Sequence, residues 1–111
     1  MGKLFMILTS ADKEVHTKVS FMYGFNAFKK GWMEKVRIIF WGPVQKLLVE
    51  DQDLQKRVKN LLVAGLDIYA CKGCSDLYNI SEELTEIGMK VEYVGTLITS
   101  MLEEGWHQLI F

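Results

Sequence analysis

Five short apolar runs alternate with capped helical stretches along this chain, and that alternation narrows the fold more than any other feature. The runs cover residues 3–9, 35–41, 66–70, 89–94 and 106–111. Each has strand length and β-compatible residues. After the first run, Val15, Val19, Met22, Tyr23, Ala27 and Phe28 recur at helical spacing across residues 12–30. Ser10 or Asp12 supplies the N-cap and Gly31 the stop. Pro43, the single proline, suits the first position of a helix running to about Glu50. Asp51 or Asp53 then caps a further piece that ends at Ala64, and Gly65 closes it. A short polar helix is predicted over Ser81–Ile87, ending at Gly88. A last helix over 97–104 opens from Gly95-Thr96 and ends at Gly105. The order βαβαβαβαβ predicts an α/β fold, a mostly parallel sheet with helices on both faces.

A length of 111 residues makes a single domain, 1–111, the expectation. Half the residues are hydrophobic, enough for a real core. Thirteen Lys and Arg against 14 Asp and Glu leave a net charge of -1 with no basic stripe, so nucleic acid is not an expected direct partner. No apolar run approaches the ~20 residues that span a bilayer, so no membrane is expected either. The first residues read as a strand rather than a signal peptide. A cytoplasmic protein with reduced thiols is therefore expected.

The two cysteines stand in Cys71-Lys72-Gly73-Cys74, directly after the third run. In open α/β sheets the carboxyl ends of strands gather ligands and reacting groups. Four readings of the pair compete. Free cysteines often act as small buried hydrophobes. A structural zinc site needs four ligands, and His16 and His107 fall on the first helix and the last strand with no second short-spaced pair. A thioredoxin-like motif follows an early strand beside a cis-proline. Here it follows the third strand, and Pro43 looks like a helix start. The fourth reading is a nucleophilic or carrier thiol. A helical turn beginning after Ala70 would aim backbone N–H groups at Cys71 and favour its thiolate. Lys72 adds positive charge, and Cys74, three residues on, shares one face of such a turn.

Other residues gather at the same sheet end. Trp41 and Gly42 close the second run, and Gly42 permits close approach of a ligand or another backbone. Ser10 ends the first run and can donate to an anion, although a capping role is the commoner one. Asp76 and Tyr78 follow the cysteines and can line a pocket. His16 and His107 are not expected to be catalytic. No Ser-His-Asp order, phosphate loop or dinucleotide fingerprint is present.

Four stretches carry a resemblance. Phe40-Trp41-Gly42-Pro43-Val44-Gln45-Lys46-Leu47-Leu48 comes first, then Ala70-Cys71-Lys72-Gly73-Cys74-Ser75-Asp76-Leu77-Tyr78-Asn79-Ile80. Tyr93-Val94-Gly95 and Gly105-Trp106 through Phe111 follow. Together they resemble the DsrE/DsrF-like family over nearly the whole chain. The resemblance implies a three-layer α/β/α sandwich with a five-stranded, mainly parallel sheet. It also implies a homo-oligomer, trimer or hexamer, and sulfur carriage in relay systems for tRNA thiolation or sulfur oxidation. Sulfur donor and acceptor proteins would be the partners. The family's functional cysteine ends the third strand, matching Cys71. Cys74 matches a second cysteine of some branches, and Asn79 stands where relatives often have Gly. The expectation is a small cytoplasmic sulfur carrier with Cys71 as persulfide acceptor, Cys74 as resolving thiol, and no cofactor or metal. The rivals are an oligomeric subunit with inert thiols and a dithiol oxidoreductase, which needs the two Cα atoms within ~7 Å.

Overall fold

The computed structural model describes residues 2–111. Five strands, β1 (Lys3–Leu8), β2 (Lys35–Phe40), β3 (Asp67–Cys71), β4 (Lys90–Glu92) and β5 (His107–Ile110), form one parallel sheet in the order β4-β3-β2-β1-β5. All carboxyl ends therefore lie at one end of the sheet.

Helices follow the caps that the sequence supplies. Asp12 accepts the N–H of Glu14 and opens α1 (Lys13–Val15). The chain continues through a π-helical turn (His16–Ser20) into α2 (Phe21–Lys29). Pro43 precedes α3 (Val44–Glu50). Asp51, not Asp53, caps α4 (Gln52–Val63) by accepting from the Leu54 N–H. Helix α5 (Lys72–Tyr78) starts immediately after β3, α6 (Ser81–Ile87) follows, and α7 (Gly95–Glu103) joins β4 to β5.

The right-handed crossover rule decides which face each helix covers. From β1 to β4 the strands step one way across the sheet. Helices α2, α3, α4 and α6 therefore lie on one face. They bury Leu4, Met6, Leu8, Val36, Ile38, Phe40, Ile68 and Ala70 against Leu48, Leu54, Val58 and Leu84. The step from β4 back to β5 reverses direction, so α7 lies on the other face. There it packs Ile98 and Met101 on Phe5, Ile7, Ile39, Tyr69 and Cys71. Three layers result, with unequal outer ones. At the amino end of the α7 face, Arg37 binds Asp67 at 2.7 Å and lies over the rings of Tyr69 and Trp106.

Two expectations are corrected. Cys71 is the last residue of β3 rather than the first beyond it. The segment after it is helical at once, the turn that the carrier reading supposed. The fourth run, expected over 89–94, pairs only as Lys90–Glu92 because an edge strand has one neighbour and Val94 turns inward as the N-cap of α7. No helix among the described residues is long and apolar enough to cross a membrane.

Candidate functional site

Cys71 occupies a junction. Its φ of -71° and ψ of 113° are still extended, yet it is the N-cap of α5 and its side chain caps nothing. The thiol points to the α7 face beside Tyr69, Val94 and Ile98, and the residue is 8% exposed. Cys74 lies in the first turn of α5, half-buried against the same cluster. Burial pushes the Cys74 thiol up, and the Cys71 sulfur raises it further by accepting a hydrogen bond from it and repelling a second negative charge. The Gly42 backbone works the other way and pulls it down. Both cysteines are free thiols.

Two glycines shape the space around these sulfurs. Gly42 has φ +86°, a conformation that L side chains rarely adopt, and a Cβ there would meet nothing within 4 Å. This turn aims its N–H at Gln45 Oε1. A Cβ on Gly73 would stand 3.9 Å from the Cys71 sulfur and 4.0 Å from the Tyr93 ring. The missing side chain leaves an approach over Cys71 between α5 and Tyr93, itself 67% exposed. Beyond it lies an open groove of about 540 Å³, lined by Lys72, Val91, Glu92, Tyr93, Thr96, Leu97 and Ser100.

The charge expected from Lys72 is largely committed. Its ammonium binds Asp76 at 2.7 Å and lies 5.6 Å from the centre of the Tyr93 ring. Asp76 also accepts from Ser81 at 2.6 Å, so its carboxylate ties α5 to α6, and the hydrogen bonds from Lys72 and Ser81 lower its pKa. Lys46 lies over the Tyr78 ring. Trp41 is 39% exposed, and its backbone N–H donates to the Leu8 carbonyl. Ser10 serves the turn after β1. Its hydroxyl accepts from the Asp12 N–H and its carbonyl accepts from His16 Nε2 at 2.7 Å.

Gly42 is thus brought to the cysteines. Asp76 and Tyr78 are engaged by the lysines of their own neighbourhood, and Ser10 by its own loop. His16 is fully buried, with Nδ1 on Ser20 at 2.9 Å, and burial lowers its pKa from 6.5. His107 opens β5 opposite Leu4, at the amino end of the sheet and away from Cys71. Among the described residues no group of three or more His, Cys, Asp or Glu is placed to hold a metal ion.

Sequence reasoning passed over Gln45, Gly73 and Tyr93. Gln45 is fully buried, accepts from the Gly42 N–H at 3.1 Å and donates to the Cys71 carbonyl at 3.0 Å. Its signal was a polar residue between the buried Val44 and Leu48 in the first turn of a helix.

The sequence model of the DsrE/DsrF-like family matches residues 2–111. The chain belongs to this family. No curated protein matches it. Among solved structures, a conserved protein of unknown function from Bacteroides thetaiotaomicron is 29% identical, with a TM-score of 0.94 over 98% of this chain and 94% of that one. A protein of unknown function from Methanobacterium thermoautotrophicum is 18% identical, with a TM-score of 0.76 and full coverage of both chains. The ychN protein from E. coli is 15% identical, with a TM-score of 0.73 and full coverage of both. These last two share the fold of this DsrE-like chain.

Proposed function

We propose that this DsrE-like protein is a small cytoplasmic sulfur carrier that accepts sulfane sulfur on Cys71. The observation that carries the reading is the pair of interacting thiols at the carboxyl end of β3, with an approach left open by Gly73. In the loading step, the Cys71 thiolate attacks the outer sulfur of a donor persulfide. The donor's S–S bond breaks, its thiolate departs with the electron pair, and Cys71–S–SH forms with no net oxidation. The same exchange in reverse passes the sulfur to an acceptor thiol. Alternatively, Cys74 attacks the inner sulfur, forms a Cys71–Cys74 disulfide and expels hydrosulfide. An external dithiol then restores the pair. Sulfur donor and acceptor proteins are the partners, and the protein acts as a homo-oligomer.

The test is intact mass spectrometry after exposure to a persulfide donor. Wild type should gain one sulfur, about 32 Da, which reduction removes and peptide mapping places on Cys71. Cys71→Ser should abolish the gain, and Cys74→Ser should weaken it or slow release. The 8% exposure of Cys71 favours a second reading, an oligomeric subunit with inert thiols. That reading wins if neither thiol loads or alkylates in the folded protein.

A further inference from the structure

The β2–β3 ladder ends at the pair Phe40 and Ala70. Past it the two chains diverge, one into the Gly42 turn and the other into α5. A single side chain continues the link. Gln45 Oε1 accepts from the Gly42 N–H, and Gln45 Nε2 donates to the Cys71 carbonyl. The side chain is fully buried on the apolar face of α3, where an unpaired amide would be costly. Its two partners are the two backbone points beside the sulfurs. Cys71 carries one sulfur, and the Gly42 turn lies beside the other, on Cys74.

We propose that Gln45 is a positioning residue whose carboxamide ties the Cys71 carbonyl to the Gly42 turn, and so sets how readily the two sulfurs exchange. Thiol–disulfide exchange needs the attacking sulfur in line with the bond that breaks, and small displacements cost rate steeply. In the carrier reading, on which this consequence rests, Gln45 governs whether a sulfur on Cys71 leaves through Cys74 or waits for an acceptor.

The full chain is equilibrated with reduced and oxidised glutathione, and the fraction of Cys71–Cys74 disulfide is read by mass. The reaction takes two protein thiols and one glutathione disulfide to one protein disulfide and two glutathione thiols. Gln45→Met keeps the volume and removes both hydrogen bonds. It should lower the effective concentration of the thiol pair about tenfold or more, while unfolding stays cooperative and Cys71 still gains sulfur. Gln45→Glu separates positioning from packing. As a carboxylate it accepts from Gly42 but has no proton for the Cys71 carbonyl. As a carboxylic acid it restores both bonds. Its thiol coupling, relative to wild type at each pH, should therefore recover as pH falls, and that of Gln45→Met should not. A coupling in Gln45→Met equal to wild type overturns the proposal, as does a flat pH profile in Gln45→Glu. The second variant decides alone if the first folds poorly. If wild type takes up no sulfur but its disulfide still depends on Gln45, the carrier reading falls and the positioning role stands.

Discussion

His16 shows what one buried side chain can demand of the backbone. Both ring nitrogens are used, Nε2 on the Ser10 carbonyl and Nδ1 on the Ser20 hydroxyl. The π-helical turn at His16–Ser20 adds a residue to the helix where the ring must lie inward, beside Phe21. Burial favours the neutral ring, so the folded pKa lies below 6.5, although the Ser10 carbonyl and Asp12 pull it upward. The unfolded chain therefore binds a proton that the folded chain refuses. Stability falls as pH drops from about 6.5 toward the folded value. Asp67 acts in a separate, lower window. Burial raises its carboxyl, but hydrogen bonds from Lys90 and Arg37 outweigh this and hold it below 3.8. Its contribution is present above 3.8 and is lost as pH falls through the folded value. Urea midpoints measured from pH 7 to 5 should decline in wild type and flatten in His16→Gln. An equal decline in both would remove His16 as the cause. At this scale the cysteines were legible, because they are the only two and follow an apolar run. Gln45 was not, since one polar residue in an amphipathic helix reads as a solvated position. Only its two backbone partners, 3 and 26 residues away, explain its burial.

Among the elements, those with caps or strict apolar spacing matched expectation, and those shaped by neighbours did not. Helix α6 came out at Ser81–Ile87 as read, closed by Gly88. Helix α5 carries almost no apolar period, and Ser75 is its only buried residue. Its sequence alone gives no reason to fold there; the end of β3 and the Asp76–Ser81–Ser75 hydrogen bonds supply one. Strand β4 kept only the three residues that face β3. The stop of α6 gives a direct test. Gly88 has φ +111°, and a Cβ would stand 3.2 Å from Leu62 Cδ1. Leu62 can shift its flexible end, so the backbone dominates the cost. Gly88→Ala should lose about 1–2 kcal/mol in urea denaturation. Asn79, at φ 59° and ψ 41°, already sits where Asn is tolerated, so Asn79→Gly should change stability much less.

Over the whole molecule, the two faces of the sheet are covered unequally, by four helices on one side and α7 on the other. Apolar side chains stay exposed well away from the cysteines. Met22 and Val19 on the first helical stretch are 55% and 49% exposed, and Ile110 on the edge strand β5 is 62% exposed. Exposed apolar side chains, where they gather, mark association surfaces. We expect a homo-oligomer, a trimer or a hexamer. Light scattering should give a multiple of 12.8 kDa, and a monomer across a wide concentration range would refute this. The parallel α/β architecture was legible because alternation and handedness leave few topologies. The placement of β5 beside β1 was not, because no local pattern says which edge a last strand joins.

That seam has a consequence in time. Phe111 accepts hydrogen bonds from Thr9, 102 residues earlier, so the pairing of β5 with β1 closes a loop of nearly the whole chain. Closing so long a loop adds little to the equilibrium cost, about 0.6 kcal/mol for each doubling of length. It slows the search instead, since non-local pairings reward the chain only once the loop is closed. Until β5 docks, the outer edge of β1 carries unpaired backbone beside Phe5, Met6 and Ile7. The fold is thus most open to wrong pairings with other chains at a strand whose apolar side chains end up buried.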